Sequence, residues 1–210
     1  MKSSLLLKKI YLDKIEFITS DTLKEYCKKF EINYEDAVRY FIRRGYIIRI
    51  FKGIFYLKSL EELKFGRSKY SYRELIGKGL KYKGVTNWYF GLYSALKINN
   101  MTHETFVIDH IINDKIVRSK PIDVSGYKVE FHRVSFKLLE FGVIKKGNLR
   151  YSDPEKTILD FIYIWRYNKI PGRRIIMDIA DYISDISKDK IRKYVKHYPK
   201  TVKKTLEGLL

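Results

Sequence analysis

Several features that define large classes of proteins are missing from this sequence. It has no run of about 18 consecutive apolar residues, the length that a membrane-spanning helix needs. Its first ten residues hold a short apolar run, but not the longer apolar core and small-residue cleavage site of a signal peptide. The single cysteine, Cys27, has no partner for an internal disulfide. We therefore expect a cytoplasmic protein with no membrane partner, in which Cys27 is a small core residue.

Glutamine is also absent, alanine is scarce, and lysine, isoleucine and tyrosine are plentiful. This bias is typical of a thermophile with an AT-rich genome. Of the 210 residues, 45% are hydrophobic, which predicts a chain with a folded core rather than a disordered one.

Positive charge dominates the sequence, whose formal net charge is +19. A field of this sign attracts polyanions and speeds their encounter with the protein. The excess is spread along the chain, so the charge indicates a nucleic-acid partner without indicating which segment binds it. A basic surface that is merely solvated is the alternative.

Residues 1–60 carry the pattern of three helices followed by a hairpin. After a first amphipathic helix, Thr19 or Ser20 caps a second helix, whose apolar residues recur at i, i+3, i+4 and i+7. A third helix is predicted to begin after the N-cap Asn33 and to end at Gly45, which is free to adopt the left-handed conformation. The predicted buried side of this third helix consists of Tyr34, Ala37, Val38, Phe41 and Ile42.

Two β-rich runs, Tyr46–Phe51 and Ile54–Leu57, are joined by Lys52-Gly53 and predict a tight hairpin. Three helices and then a basic-tipped hairpin predict a winged helix-turn-helix domain over residues 1–60. In such a domain the second helix of the motif, here the third helix, lies in the major groove of duplex DNA.

The candidate DNA contacts lie on this helix and on the hairpin. Arg39 is the best candidate for reading guanine, because its guanidinium can bind O6 and N7 together. Basic side chains nearby are better suited to holding phosphates, which fixes register without reading sequence. The full candidate set is Tyr34, Glu35, Arg39, Tyr40, Arg43, Arg44, Arg49 and Lys52. Two alternatives stay open: Glu35 and Arg39 form a solvated i, i+4 ion pair, or the domain docks a protein partner.

The second predicted domain spans residues 70–210, and the predicted fold class is α+β: the winged helix, then a larger mixed α/β domain with a small sheet and closing helices. A helix is expected over Trp88–Leu96. The strand candidates are Thr105–Ile112, Lys115–Arg118 and Lys128–Val134. The closing helices are predicted to begin near Pro154, Arg173, Ser187 and Pro199.

Three segments carry a family resemblance: the stretch from Arg43-Arg44-Gly45 to Phe55-Tyr56, the segment Trp88–Leu96, and Asp153–Asp160 with the sequence Asp-Pro-Glu-Lys-Thr-Ile-Leu-Asp. In this order they resemble the AbiEi-type antitoxins, a family of predicted transcriptional regulators of viral defence, and the likeness covers most of the chain. The resemblance implies a DNA-binding amino-terminal domain that represses its own operon through inverted repeats. Two independently bound monomers and a preformed dimer both satisfy such a two-fold operator. The resemblance also implies a carboxy-terminal domain that counters a nucleotidyltransferase-like toxin without forming a stable complex with it.

No catalytic, metal or cofactor site is predicted. Glu155 and Asp160 are five residues apart and do not share a helix face, which disfavours a general acid–base pair. Asp109-His110 is expected to be structural, within a strand. No two of the four histidines have the helical spacing of zinc ligands: His103, His110, His132 and His197.

Overall fold

The computed structural model describes residues 2–118, 120–183 and 186–208. Ten α-helices and two β-sheets occur among these residues, so the predicted mixture of helices and strands is confirmed. The chain divides into two compact units. One comprises Met1–Gly84 and Asp123–Gly126, and the other comprises Val85–Ile122 and Tyr127–Leu210.

The first unit contains helices and a three-stranded antiparallel sheet with the strand order β1-β3-β2. Its elements are α1 (Lys2–Leu12), β1 (Phe17–Thr19), α2 (Ser20–Lys29), α3 (Tyr34–Arg43), β2 (Ile47–Phe51), β3 (Ile54–Leu57), α4 (Leu60–Phe65) and α5 (Tyr72–Tyr82).

The ends of α2 and α3 follow from local side-chain chemistry. Thr19 Oγ1 accepts a hydrogen bond from the Thr22 N–H at 3.3 Å, and Asn33 Oδ1 accepts one from the Asp36 N–H at 3.0 Å. Each bond satisfies a backbone donor that has no partner within the helix. Gly45 follows α3 with φ at +71°, a conformation that side chains rarely adopt. The chain therefore turns once between α2 and α3 and again between α3 and the hairpin.

The hairpin of β2 and β3 turns at Lys52-Gly53, where Gly53 has φ at +79°. The pairing register shifts between Arg49 and Phe51, and a shift of this kind bends a strand and increases its twist. The hairpin is therefore short and twisted, with its basic turn at one end.

In the core of the first unit, the buried sides of α1, α2 and α3 pack together with residues of the sheet. Burial raises the pKa of the Cys27 thiol. The prediction that Ile42 is buried is wrong: its side chain is 40% exposed. The buried stripe of α3 runs through Val38 and Phe41, and the next residue lies about 100° further around the helix. The core residues are Leu6, Leu7, Ile10, Ile18, Leu23, Cys27, Ala37, Val38, Phe41, Ile47, Phe55 and Leu57.

Helix α5 belongs to the first unit, whereas the sequence pattern predicts that the second domain begins at residue 70. Its Gly79 lies against the sheet, where an added Cβ would come within 2.6 Å of Ile50 Cγ2 and 2.7 Å of Phe51 Cε2. The absence of a side chain at this position thus permits the helix to lie close to the hairpin. The boundary between the units falls after Gly84.

The remaining elements are helices and the six strands of a mixed sheet, whose strand order is β6-β7-β5-β4-β9-β8. Strands β5 and β7 pair in parallel, as do β4 and β9, while β4 with β5 and β8 with β9 are antiparallel. These elements are β4 (Trp88–Phe90), α6 (Leu92–Ile98), β5 (Ile108–Asn113), β6 (Ile122–Val124), β7 (Tyr127–Arg133), β8 (Val143–Lys146), β9 (Leu149–Ser152), α7 (Pro154–Tyr167), α8 (Gly172–Ile179), α9 (Lys188–Tyr194) and α10 (Lys200–Glu207).

Two element predictions in this unit are wrong. Lys115–Arg118 is not a strand, because Asn113 Oδ1 accepts hydrogen bonds from the N–H groups of Lys115 and Ile116 and so closes a turn. The predicted helix over Trp88–Leu96 begins only at Leu92, and the preceding Trp88–Phe90 segment is a buried strand. Four closing helices begin within one residue of the predicted starts, and Asp153 caps α7 as its Oδ1 accepts from the Lys156 N–H at 2.8 Å.

Candidate functional site

The candidate contacts on α3 lie on the face opposite its buried stripe. Glu35, Arg39 and Arg43 are exposed, and Tyr34 is half-buried at the start of the helix. Arg39 exposes 76% of its side chain and lies 3.7 Å from Asp36 Oδ1 rather than pairing with Glu35. An ion pair this exposed contributes little to stability, so the guanidinium is held only weakly.

Five of the eight candidate residues line one open groove of about 420 Å³. Arg49 of β2 joins the side chains of α3 there, so the helix and the hairpin contribute to the same surface. Ile42 and Val38 supply apolar groups to its wall. The candidate residues that line it are Tyr34, Glu35, Arg39, Arg43 and Arg49.

Three candidate residues do not line this groove: Tyr40, Arg44 and Lys52. Tyr40 packs against its own unit, with its ring 5.8 Å from that of Phe41 and 6.1 Å from that of Tyr46. The Arg44 guanidinium lies over the Tyr40 ring at 5.9 Å. Lys52 is exposed at the turn of the hairpin.

A further basic group that the sequence interpretation did not select lies beside the groove. Lys24 of α2 places its Nζ 5.4 Å from the centroid of the Tyr34 ring. Positive charge therefore comes from α2, α3 and β2 together. Glu35 is the acidic exception on the groove wall, and a carboxylate can accept a hydrogen bond from a cytosine amino group.

The second unit holds a buried polar network that the sequence interpretation missed. Lys156 Nζ donates to Leu138 O at 2.6 Å and to Tyr198 OH at 3.1 Å, and lies 3.4 Å from Asp160 Oδ1. Asp160 accepts further hydrogen bonds from Tyr89 OH at 2.8 Å and from Tyr198 OH at 2.6 Å. Burial lowers the pKa of Lys156 and raises that of Asp160. The i, i+4 spacing on α7 was a usable signal for this pair.

Glu155, the other acid considered for catalysis, has different partners. Its Oε1 accepts from the Ser187 N–H at 2.9 Å, and its Oε2 lies 3.0 Å from Lys190 Nζ. Lys190 also lies 2.9 Å from Asp153 Oδ2. These contacts connect the start of α7 to α9, and they give Glu155 a structural role separate from the Asp160 network.

Two histidines that are 22 residues apart meet on the sheet. His110 of β5 and His132 of β7 approach to 3.0 Å between Nδ1 and Nε2, and Glu130 lies beside them. The pKa of His110 is lowered to about 4, mainly because the imidazole is buried and in addition because it lies beside the imidazole of His132. Helical spacing of histidines does not reveal this pair, because the two side chains come from different strands. The available signal was one histidine in each of two predicted strands, but the pairing of those strands was not predicted.

No family model matches this chain, and no curated protein matches it. Among solved structures, the fold is similar to that of the RV2827C protein from Mycobacterium tuberculosis, with a TM-score of 0.57. The alignment covers 100% of this chain and 76% of that chain at 12% sequence identity, so the likeness concerns the fold alone. Among the described residues, no helix combines the length and apolar character that crossing a bilayer requires.

Proposed function

We propose that residues 1–60 form a winged helix-turn-helix that binds double-stranded DNA, with α3 as the recognition helix and the β2–β3 hairpin as the wing. The observation that carries the proposal is the shared groove lined by Arg39 and Arg43 of α3 and by Arg49 of β2. A helix that offers its outer face beside a basic hairpin matches the way such domains meet the major groove and the adjacent phosphates.

The three arginines have different expected roles. Arg39 is the sixth of the ten residues of α3 and exposes 76% of its side chain. It follows directly on the amino-terminal half of the helix, which is nearest the base edges in this docking mode. Its weak pairing with Asp36 leaves the guanidinium available for a bidentate contact with guanine. Arg43 and Arg49 hold phosphates, together with Lys52 at the tip of the wing. Tyr40 and Arg44 contribute mainly by packing.

A fluorescence-anisotropy titration tests the proposal, with the full chain, the duplex upstream of its own gene and a scrambled duplex of equal length. We expect tighter binding to the upstream duplex and a linear fall of log K with log salt concentration. Arg39→Ala should lose about 1–3 kcal/mol of that preference. Arg49→Ala should weaken both duplexes alike and reduce the salt slope by about one.

Arg67→Ala is the matched control, because Arg67 is an exposed arginine of the same unit that does not line the groove. It should bind both duplexes much as the wild type does. Equal affinity of the wild type for the upstream and scrambled duplexes would contradict sequence-specific binding. A preserved preference in a folded Arg39→Ala variant would remove Arg39 from base readout.

A protein-docking role is the second candidate, and the exposed Ile42 on the groove wall favours it. Contiguous exposed apolar patches are typical of surfaces that bind proteins, and Ile42 adjoins Val38 on this wall. Absence of any salt-dependent binding to duplex DNA would support this candidate over the first.

The family resemblance supports a more specific biological role. We propose that the protein represses its own operon and acts, without catalysis, as the antitoxin to a nucleotidyltransferase-like toxin encoded beside it. Expression of the neighbouring gene alone should stop growth, and co-expression of this protein should restore it. Growth arrest that persists under co-expression would contradict the antitoxin role while leaving DNA binding untouched.

A further inference from the structure

The parallel pairing of β5 with β7 brings three metal-ligating side chains onto one face of the sheet. His110 is directly opposite Glu130, and Ile112 is opposite His132. Side chains two residues apart on a strand share a face, so Glu130 and His132 project together from β7. His110 projects beside them from the neighbouring strand.

The distances among the three groups fit a single ion. His110 Nδ1 and His132 Nε2 are 3.0 Å apart, and the carboxylate oxygens of Glu130 lie 3.8 Å from the first nitrogen and 3.9 Å from the second. Zinc bound at about 2.0–2.1 Å from each ligand with tetrahedral angles places its ligand atoms about 3.3 Å from one another. Side-chain adjustments of a few tenths of an ångström reach that spacing.

The surroundings also suit an ion with a solvent-facing side. The two imidazoles are 12% and 14% exposed, whereas the Glu130 side chain is 36% exposed. The Tyr93 ring of α6 lies 5.7 Å from the His110 ring and shields one side. The two imidazoles are thus held by the sheet, and the more flexible carboxylate lies on the more exposed side of the cluster.

We propose that His110, Glu130 and His132 form a binding site for a divalent transition-metal ion of the zinc type. Two imidazoles and one carboxylate are a ligand set that such ions accept, and the set leaves a fourth position for water or another oxygen ligand. The ion links β5 to β7, so its expected effect is to stabilise the second unit. The proposal is independent of DNA binding by the first unit.

The test is zinc binding by the full chain after dialysis against a chelator. Equilibrium dialysis with Zn²⁺ followed by elemental analysis should find one tightly bound zinc ion per chain, and Zn²⁺ should raise the melting temperature. His110→Gln and His132→Gln should each weaken binding by more than about 100-fold, beyond the 10–100-fold effect of losing an outer-shell partner. Glu130→Gln should also weaken it.

His103→Gln is the matched control, since His103 is an exposed histidine of the same unit outside the cluster. It should bind zinc as the wild type does. Undiminished zinc binding in both cluster-histidine variants would overturn the proposal. So would a wild type that keeps no zinc, because the two imidazoles then form only a hydrogen bond with each other.

A measurement on the wild type alone covers the case in which these variants do not fold. X-ray absorption at the zinc edge of the loaded protein should count two imidazole ligands with oxygen donors completing the shell. A spectrum with one imidazole or none would overturn the proposal.

Discussion

In the first unit, the arginines of α3 and β2 lie at the surface, and Arg39 exposes 76% of its side chain. In the second unit, Lys156 and Asp160 expose none of theirs and are surrounded by hydrogen-bonding partners. Water screens the exposed arginines of the first unit, so their charges cost the folded state little free energy and remain accessible to an external partner. The buried pair of the second unit has lost its hydration, so each charge depends on the other and on nearby tyrosines. Charged side chains thus lie at the surface in one unit and are paired inside the core of the other.

Removal of Asp160 should have the largest effect on stability. Asp160→Ala leaves the buried Lys156 without its carboxylate partner, and breaking a buried pair in this way costs about 3–5 kcal/mol. Denaturant unfolding of the full chain measures the loss. Asp189→Ala is the control, because Asp189 pairs with Arg192 at the surface and exposes 87% of its side chain. Equal losses in the two variants would contradict the contrast between the units.

If Asp160→Ala does not fold, Tyr89→Phe tests the same network with a smaller perturbation. It removes only the hydroxyl that donates to Asp160 Oδ2, and a hydrogen bond to a charged group contributes about 1.5–3 kcal/mol. An unchanged unfolding free energy would show that the network does not stabilise the second unit.

Glu62 sharpens the comparison, because it is a buried acid within the first unit. Burial alone raises the pKa of Glu62, but hydrogen bonds from Tyr56 OH and from the N–H groups of Lys69 and Ser59 outweigh it and hold the pKa below the ordinary value of 4.5. A carboxyl whose pKa is lowered by folding stabilises the folded state above its unfolded pKa, and that contribution is lost as pH falls through the folded pKa.

Glu62→Gln should therefore cost about 1–3 kcal/mol at neutral pH. The difference from wild type should shrink as pH falls below 4.5, which unfolding curves at several pH values would measure. Glu61→Gln changes the exposed neighbour and serves as the control. A difference that stays constant from pH 7 to pH 3 would contradict this assignment.

Arg39→Ala should have the smallest effect on stability. The side chain is exposed and its ion pair with Asp36 is loose, so the unfolding free energy should change by no more than about 0.5 kcal/mol. The melting temperature of the same preparation used for DNA titration measures this change. A loss well above that range would mean that Arg39 has a structural role and that its effect on DNA binding is indirect.

Local features were predictable from the sequence and non-local ones were not. The caps at Thr19 and Asn33 and the turn at Gly53 depend on residues within a few positions of each other, and each lies where the pattern predicts. The apolar spacing of Trp88–Leu96 predicts a helix, but the same residues also suit the buried strand of three residues that Trp88–Phe90 forms.

The candidate site divides in the same way. The exposed face of α3 follows from its helical period, but the position of Arg49 beside it depends on how the hairpin packs. The meeting of His110 with His132 depends on a parallel strand pairing between distant segments. Neither arrangement leaves a periodic signal in a single sequence.

The lack of a side chain at Gly79 affects the hairpin of β2 and β3. Any larger group there must push Ile50 or Phe51, and these two residues lie between Arg49 and Lys52 on the hairpin. The position of the hairpin is thus constrained by α5, a helix whose own residues do not line the groove. A larger residue at position 79 would therefore displace the hairpin that carries Arg49 and Lys52, although no candidate residue itself is substituted.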